Sequence, residues 1–211
     1  MTRIQIKRFF IRLGALLCFI AACVPSFATT KGLNQIVTPD IQPVGVLSTS
    51  LQLQNPVISN GQEVQLELGL TKNFEVAVFR GFTPGETIFN AELGLVQSKH
   101  FLLSTGVLGV EQGKQAQPFI EAGYYQGKGF GMVGIQHQDS NEQGIFGLGY
   151  QYTPKVLLTA DYITGSQNFA TVGVTFTITP NLSFNPALYV SNSTPRHGYG
   201  YGVLTWNSKL W

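Results

Sequence analysis

From residue 44 to the C-terminus, apolar and polar residues alternate with period two, and short turn sequences break the alternation at nearly regular intervals. In 169–179, Ala170, Val172, Val174, Phe176 and Ile178 fall on one face of an extended chain, and Thr171, Gly173, Thr175 and Thr177 on the other. The same division separates Val64, Leu66, Leu68 and Leu70 from Gln65, Glu67 and Gly69, and Leu47, Thr49, Leu51 and Leu53 from Ser48, Ser50, Gln52 and Gln54. In 143–153, Phe146, Leu148, Tyr150 and Tyr152 oppose Gly147, Gly149 and Gln151. The breaks are Thr71-Lys72-Asn73, Ser98-Lys99-His100, Gly127-Lys128-Gly129, Thr153-Pro154-Lys155 and Thr179-Pro180-Asn181. They recur about every 27 residues, the length of two strands of about ten residues, a tight turn and a longer loop. About twelve strands are predicted (10–14 fit the spacing), near 44–54, 62–71, 74–81, 87–97, 101–111, 117–126, 129–138, 143–153, 156–165, 169–179, 182–191 and 199–208. This is the rhythm of an all-β, antiparallel up-and-down β-barrel.

Two segments precede the strands. Residues 1–28 read as a signal peptide: Arg3, Lys7, Arg8 and Arg12 come before an apolar run from Leu13 to Val24 that is too short for a membrane-spanning helix. Ser26-Phe27-Ala28 supplies the small residues of a cleavage site, which makes Thr29 the mature N-terminus. Ile20-Ala21-Ala22-Cys23 resembles a lipobox and offers lipidation at Cys23 as the alternative. Residues 29–43, with Pro39 and Pro43, have no periodicity and form an irregular lead-in, either a tail or a plug. Residues 44–211 then make one barrel domain.

Composition decides what this pattern is for. Both cysteines, Cys18 and Cys23, lie in the leader, so the mature chain has no thiol for a disulfide, an Fe–S cluster or a thiolate zinc site, and no cofactor is implied. Four of the 13 Lys and Arg are also in the leader, so the mature chain carries nine basic residues against 11 acidic ones, a net −2 that implies no nucleic-acid partner. Alternation alone fits a soluble β-sandwich equally well. However, the polar faces carry Ser, Thr, Gln, Gly and Glu rather than mixed charges, the lysines gather in the turns, and Phe74, Phe101, Tyr150, Tyr152, Phe184 and Trp206 stand near strand ends. Those three features favour a barrel whose apolar face meets lipid and whose aromatic rings mark the interfaces.

With a signal sequence, hairpins of short turns alternating with longer loops, and a last strand ending in an aromatic residue, the chain resembles bacterial outer-membrane β-barrel proteins as a class. The end reads Leu204-Thr205-Trp206-Asn207-Ser208-Lys209-Leu210-Trp211; Trp211 fits, whereas Asn207 and Lys209 depart from the alternating apolar signal of the class. The resemblance implies the outer membrane of a Gram-negative cell, with membrane lipid and the barrel-assembly machinery, reached through the strand ending in Trp211, as partners. It also implies that the short turns face the periplasm and the loops 55–61, 81–86, 112–117, 138–143, 164–168 and 192–198 face outward. None of these is long enough for an adhesive tip.

Function is then expected in the lumen. Glu67, Glu75, Glu92, Glu121 and Asp161 fall on polar faces and are the candidate channel-lining residues of a narrow porin-like passive channel that favours cations among small ions or solutes. Alternatively, these carboxylates hydrogen-bond to Ser, Thr, Tyr or Arg80 across a filled interior, and the barrel is structural, with Tyr125, Tyr189 or the lead-in obstructing it. A secreted or lipid-anchored soluble β-protein is the third reading. No enzymatic activity is expected: His100, His137 and His197 are scattered, and His137-Gln138-Asp139-Ser140 holds suitable residue types only at a strand end. The same three histidines make no metal site. Gly129-Phe130-Gly131-Met132-Val133-Gly134 satisfies G-x-G-x-x-G but continues as strand, with no helix to receive a phosphate.

Overall fold

A computed structural model describes residues 32–83, 85–138 and 140–211. Ala28 and Cys23, and with them the choice between cleavage and lipidation, lie outside the described residues. Twelve strands follow one another: β1 (Val46–Gln54), β2 (Gln62–Thr71), β3 (Phe74–Gly81), β4 (Thr87–Gln97), β5 (Phe101–Val110), β6 (Gln117–Gln126), β7 (Gly129–Gln138), β8 (Asn141–Thr153), β9 (Val156–Ile163), β10 (Phe169–Thr179), β11 (Leu182–Ser191) and β12 (Gly198–Lys209). Each pairs antiparallel with the next, and β1 closes the sheet on β12 in a register running from Val46 opposite Lys209 to Gln54 opposite Tyr201. Closure leaves no unpaired strand edge.

The five short turns predicted from the lysine- and asparagine-bearing breaks share one end of the barrel, called here the turn end, where β1 begins and β12 finishes. Three of them use a threonine to shape the chain: the hydroxyls of Thr71, Thr153 and Thr179 accept the backbone N–H of Asn73, Lys155 and Asn181, at 3.2, 3.2 and 3.3 Å. The sheet register shifts at the same three threonines. At the opposite, loop end, the expected 138–143 loop is shorter than the sequence suggested. Gln138 pairs with Asn141, leaving two connecting residues, and Ser140 takes the left-handed φ of 65° that such a tight hairpin requires.

The two faces of the wall partition in the reverse sense to a soluble protein. Leu148 is 65%, Val172 57% and Val133 55% exposed on the outer face, whereas Ser48, Ser104, Glu121, Thr171, Ser183 and Thr205 are buried inside. A continuous apolar exterior around a polar interior suits hydrocarbon and would be a severe liability in water. The soluble reading fails on this partition. Strands of about ten residues at 3.3 Å each, once tilted, span the apolar band of a bilayer.

Candidate functional site: the lumen and its inserted segment

All five carboxylates singled out from alternation, Glu67 on β2, Glu75 on β3, Glu92 on β4, Glu121 on β6 and Asp161 on β9, turn inward and are buried. Arg80 does not join them. Starting from Glu75, the alternation puts it on the outer phase of β3, where its guanidinium donates to the Gly85 carbonyl and the Thr87 hydroxyl at the loop end.

What occupies the lumen is residues 32–43, the described part of the lead-in whose role sequence left open, joined to β1 through Val44 and Gly45. The segment enters at the turn end, where the Gly45 N–H donates to the Gly69 carbonyl and the Leu210 N–H donates to the Gly45 carbonyl. Its next residues follow the inner wall. The Gln42 N–H donates to Glu75 Oε2 at 2.5 Å, the Gln97 amide donates to the Pro39 carbonyl at 2.8 Å, and the Tyr125 hydroxyl donates to Asp40 at 3.3 Å. The chain then climbs to a turn at 33–36, closed by a hydrogen bond from the Leu33 N–H to the Ile36 carbonyl, and Gly32 points back toward the mouth it came from.

Asn34, at the top of this turn, has every backbone and side-chain polar group engaged. Its N–H donates to Asp161 Oδ2 at 2.8 Å, its side-chain amide donates to the Thr171 hydroxyl at 2.9 Å, and its side-chain oxygen accepts from the Thr159 hydroxyl at 3.1 Å. The Tyr189 hydroxyl donates to its carbonyl. On either side, Leu33 and Ile36 pack against Met132, Ile145 and Ile163, an apolar cluster on a largely polar inner face. Burying a Leu or Ile side chain contributes about 1.5–3 kcal/mol, so both polar and apolar contacts hold the turn.

Room for the segment comes from glycines. A methyl group at Gly69 would lie 2.2 Å from the Gln42 carbonyl oxygen, at Gly94 2.8 Å from Ile41, at Gly123 2.8 Å from Pro39, at Gly147 2.4 Å from Leu33 and at Gly173 2.0 Å from the Asn34 side-chain oxygen. These positions fall on β2, β4, β6, β8 and β10, so the segment crosses alternate strands over a track of missing side chains. Gly131 and Gly129, from the apparent nucleotide motif, lie within β7 and open no helix.

Sequence reasoning placed the carboxylates on the inner face but missed Asn34, Leu33, Ile36 and their apolar seat. The available signal was the gathering of Met132, Ile145 and Ile163, with Phe130 beside them, in the inward phase of neighbouring strands. The remaining candidates stay apart. His100 is in a turn, its ring nitrogen bonded to the Tyr125 carbonyl; His137 pairs with Glu142 at the loop end; and His197 is in the loop before β12.

A closed antiparallel barrel, apolar outside and polar inside, defines the class: this is a protein with the fold of bacterial outer-membrane β-barrels. Among solved structures it is similar to the NanC porin, with a TM-score of 0.57 at 6% identity over 76% of this chain and 98% of that one. It is likewise similar to the KdgM porin, with a TM-score of 0.56 at 9% identity, and to that porin in complex with disordered oligogalacturonate, with a TM-score of 0.55 at 10% identity; each match covers 76% of this chain and 98% of the other. No protein-family model matches the sequence, and neither does any curated protein.

Proposed function

We propose that the protein is a porin-like outer-membrane channel with an acidic, cation-favouring lumen, closed at rest by its own segment 32–45. The observation that carries this reading is the docking of the segment on two of the lumen carboxylates, Asp161 and Glu75. Carboxylates exposed by its withdrawal attract cations and repel anions. Every described Lys and Arg is exposed rather than buried in the lumen, which supports the sign of that preference. The porins it resembles support passive passage as the general activity, and the reading requires no catalysis.

The test is planar-bilayer conductance of the mature chain beside a variant lacking residues 32–43, with heat-modifiable gel migration confirming that both have folded. The expected result is a mostly silent parent with brief openings, and steady cation-selective steps in the variant. A second reading, a filled structural barrel, is favoured by the near-complete burial of Ser104, Glu121 and Thr205. A variant that shifts on boiling yet never conducts would establish that reading instead.

A further inference from the structure

The two rims of the barrel carry charge in different ways. At the loop end the charges are of both signs and partly neutralise one another: Lys114 pairs with Glu111 at 2.9 Å and with Glu86 at 3.1 Å, and these hydrogen bonds hold the Lys114 ammonium above its ordinary pKa. At the turn end, Lys72, Lys99, Lys128 and Lys155 occupy four of the five turns and Lys209 ends β12, and all five are exposed. None of the five turn sequences contains an acidic residue.

Directly inside this ring of lysines is a belt of outward-facing aromatic residues. Phe101 follows Lys99 by two positions, Tyr152 precedes Lys155 by three, and Tyr124, Tyr150, Phe184 and Trp206 stand at the same level on β6, β8, β11 and β12. Aromatic rings in such a belt lie at headgroup level. Two residues of strand add about 7 Å, which lifts the ammonium groups to the depth of the lipid phosphates.

We propose that the turn end is a collar for anionic glycerophospholipid headgroups, which its five lysines gather from the adjoining leaflet. Charge complementarity selects the ligand: exposed ammonium groups at phosphate depth, in no ion pair among the described residues, attract a lipid with net negative charge over a zwitterionic one, each by an appreciable factor near the surface. Bare ammonium groups on flexible stems act as point charges and form no shaped pocket, so the collar selects by charge and tolerates variation in the headgroup.

The chain supplies its own probe, because its two tryptophans, Trp206 and Trp211, both stand at this end. The mature barrel would be reconstituted in equal mixtures of phosphatidylglycerol and phosphatidylcholine, with one or the other brominated, and tryptophan quenching would report which lipid surrounds the collar. The expected result is quenching that corresponds to a several-fold local enrichment of phosphatidylglycerol. That enrichment should fall toward unity in 0.5 M salt and in the variant K72Q/K99Q/K128Q/K155Q/K209Q, and persist in the loop-end variant K114Q/R196Q. Equal quenching by the two lipids in the parent at low salt would overturn the proposal, as would an enrichment that survives both salt and the five substitutions. Displacement of the enrichment by millimolar inorganic phosphate would also overturn it, by showing a site for the free anion instead. The salt series on the parent protein remains decisive if the fivefold variant folds poorly.

Discussion

The interior is filled in two different ways on its two sides. Toward the loop end of β1, β2 and β12 the wall fills itself: Ser50 and Thr205 share a hydrogen bond at 2.9 Å, Gln65 donates to Gln52 and Glu63, and the Tyr201 hydroxyl donates to Gln52 at 3.0 Å. Beside β6 to β10 the inward positions include Gly123, Gly147 and Gly173, and the space is taken by a segment from outside the sheet. The self-filled side is part of the barrel and unfolds only with it. The borrowed side is filled by a peptide that belongs to no strand, so on the channel reading proposed above its withdrawal would open a pore along β6–β10.

Substitutions that refill the glycine track should have the largest effect. Gly147→Val together with Gly173→Val puts side chains where Leu33 and Asn34 now lie, and valine suits a strand, so the barrel is expected to remain folded while the segment is expelled. Single-channel recording should then show steady openings comparable to those of the deletion variant; a silent, folded double variant would mean that the two sides do not differ. Asn34→Ala comes next. It removes two side-chain hydrogen bonds and leaves the buried Thr159 and Thr171 hydroxyls without that partner, a loss of about 1–3 kcal/mol in holding the turn, so the open fraction should rise about fivefold or more in the same recordings. The smallest effect is expected on the other side. Ser50→Ala should lower resistance to urea, followed by gel migration, by about 1 kcal/mol and leave conductance unchanged. A channel opened by Ser50→Ala would reverse the assignment of the pore.

The wall itself was almost fully legible in the sequence. Period-two alternation placed Glu67, Glu75, Glu92, Glu121 and Asp161 on the inner face, because a one-residue error of register would have put the leucines of β2 and the valines of β10 inside. The segment 32–45 was not legible, since it belongs to no repeating element: its shape is set by Pro39, by Asn34 and by contacts with strands more than 100 residues away. Its trace was nonetheless present in Gly69, Gly147 and Gly173, read from the chain only as small members of polar faces. Arg80 shows the limit of arguing from composition, because a cation near several carboxylates in sequence lies on the opposite surface of the same strand.

The hairpin-like path of the segment has a mechanical consequence. Gly32 and Gly45 both point to the turn end, so tension applied at the N-terminal side would load the contacts of Leu33 and Asn34 first, then those of Ile36, Pro39 and Gln42 in succession. Bonds broken one after another yield at far lower force than the same bonds sheared together. The docked segment therefore yields more readily to a pull applied at Gly32 than to a force spread along its whole length, as a zip resists bursting but opens from its slider.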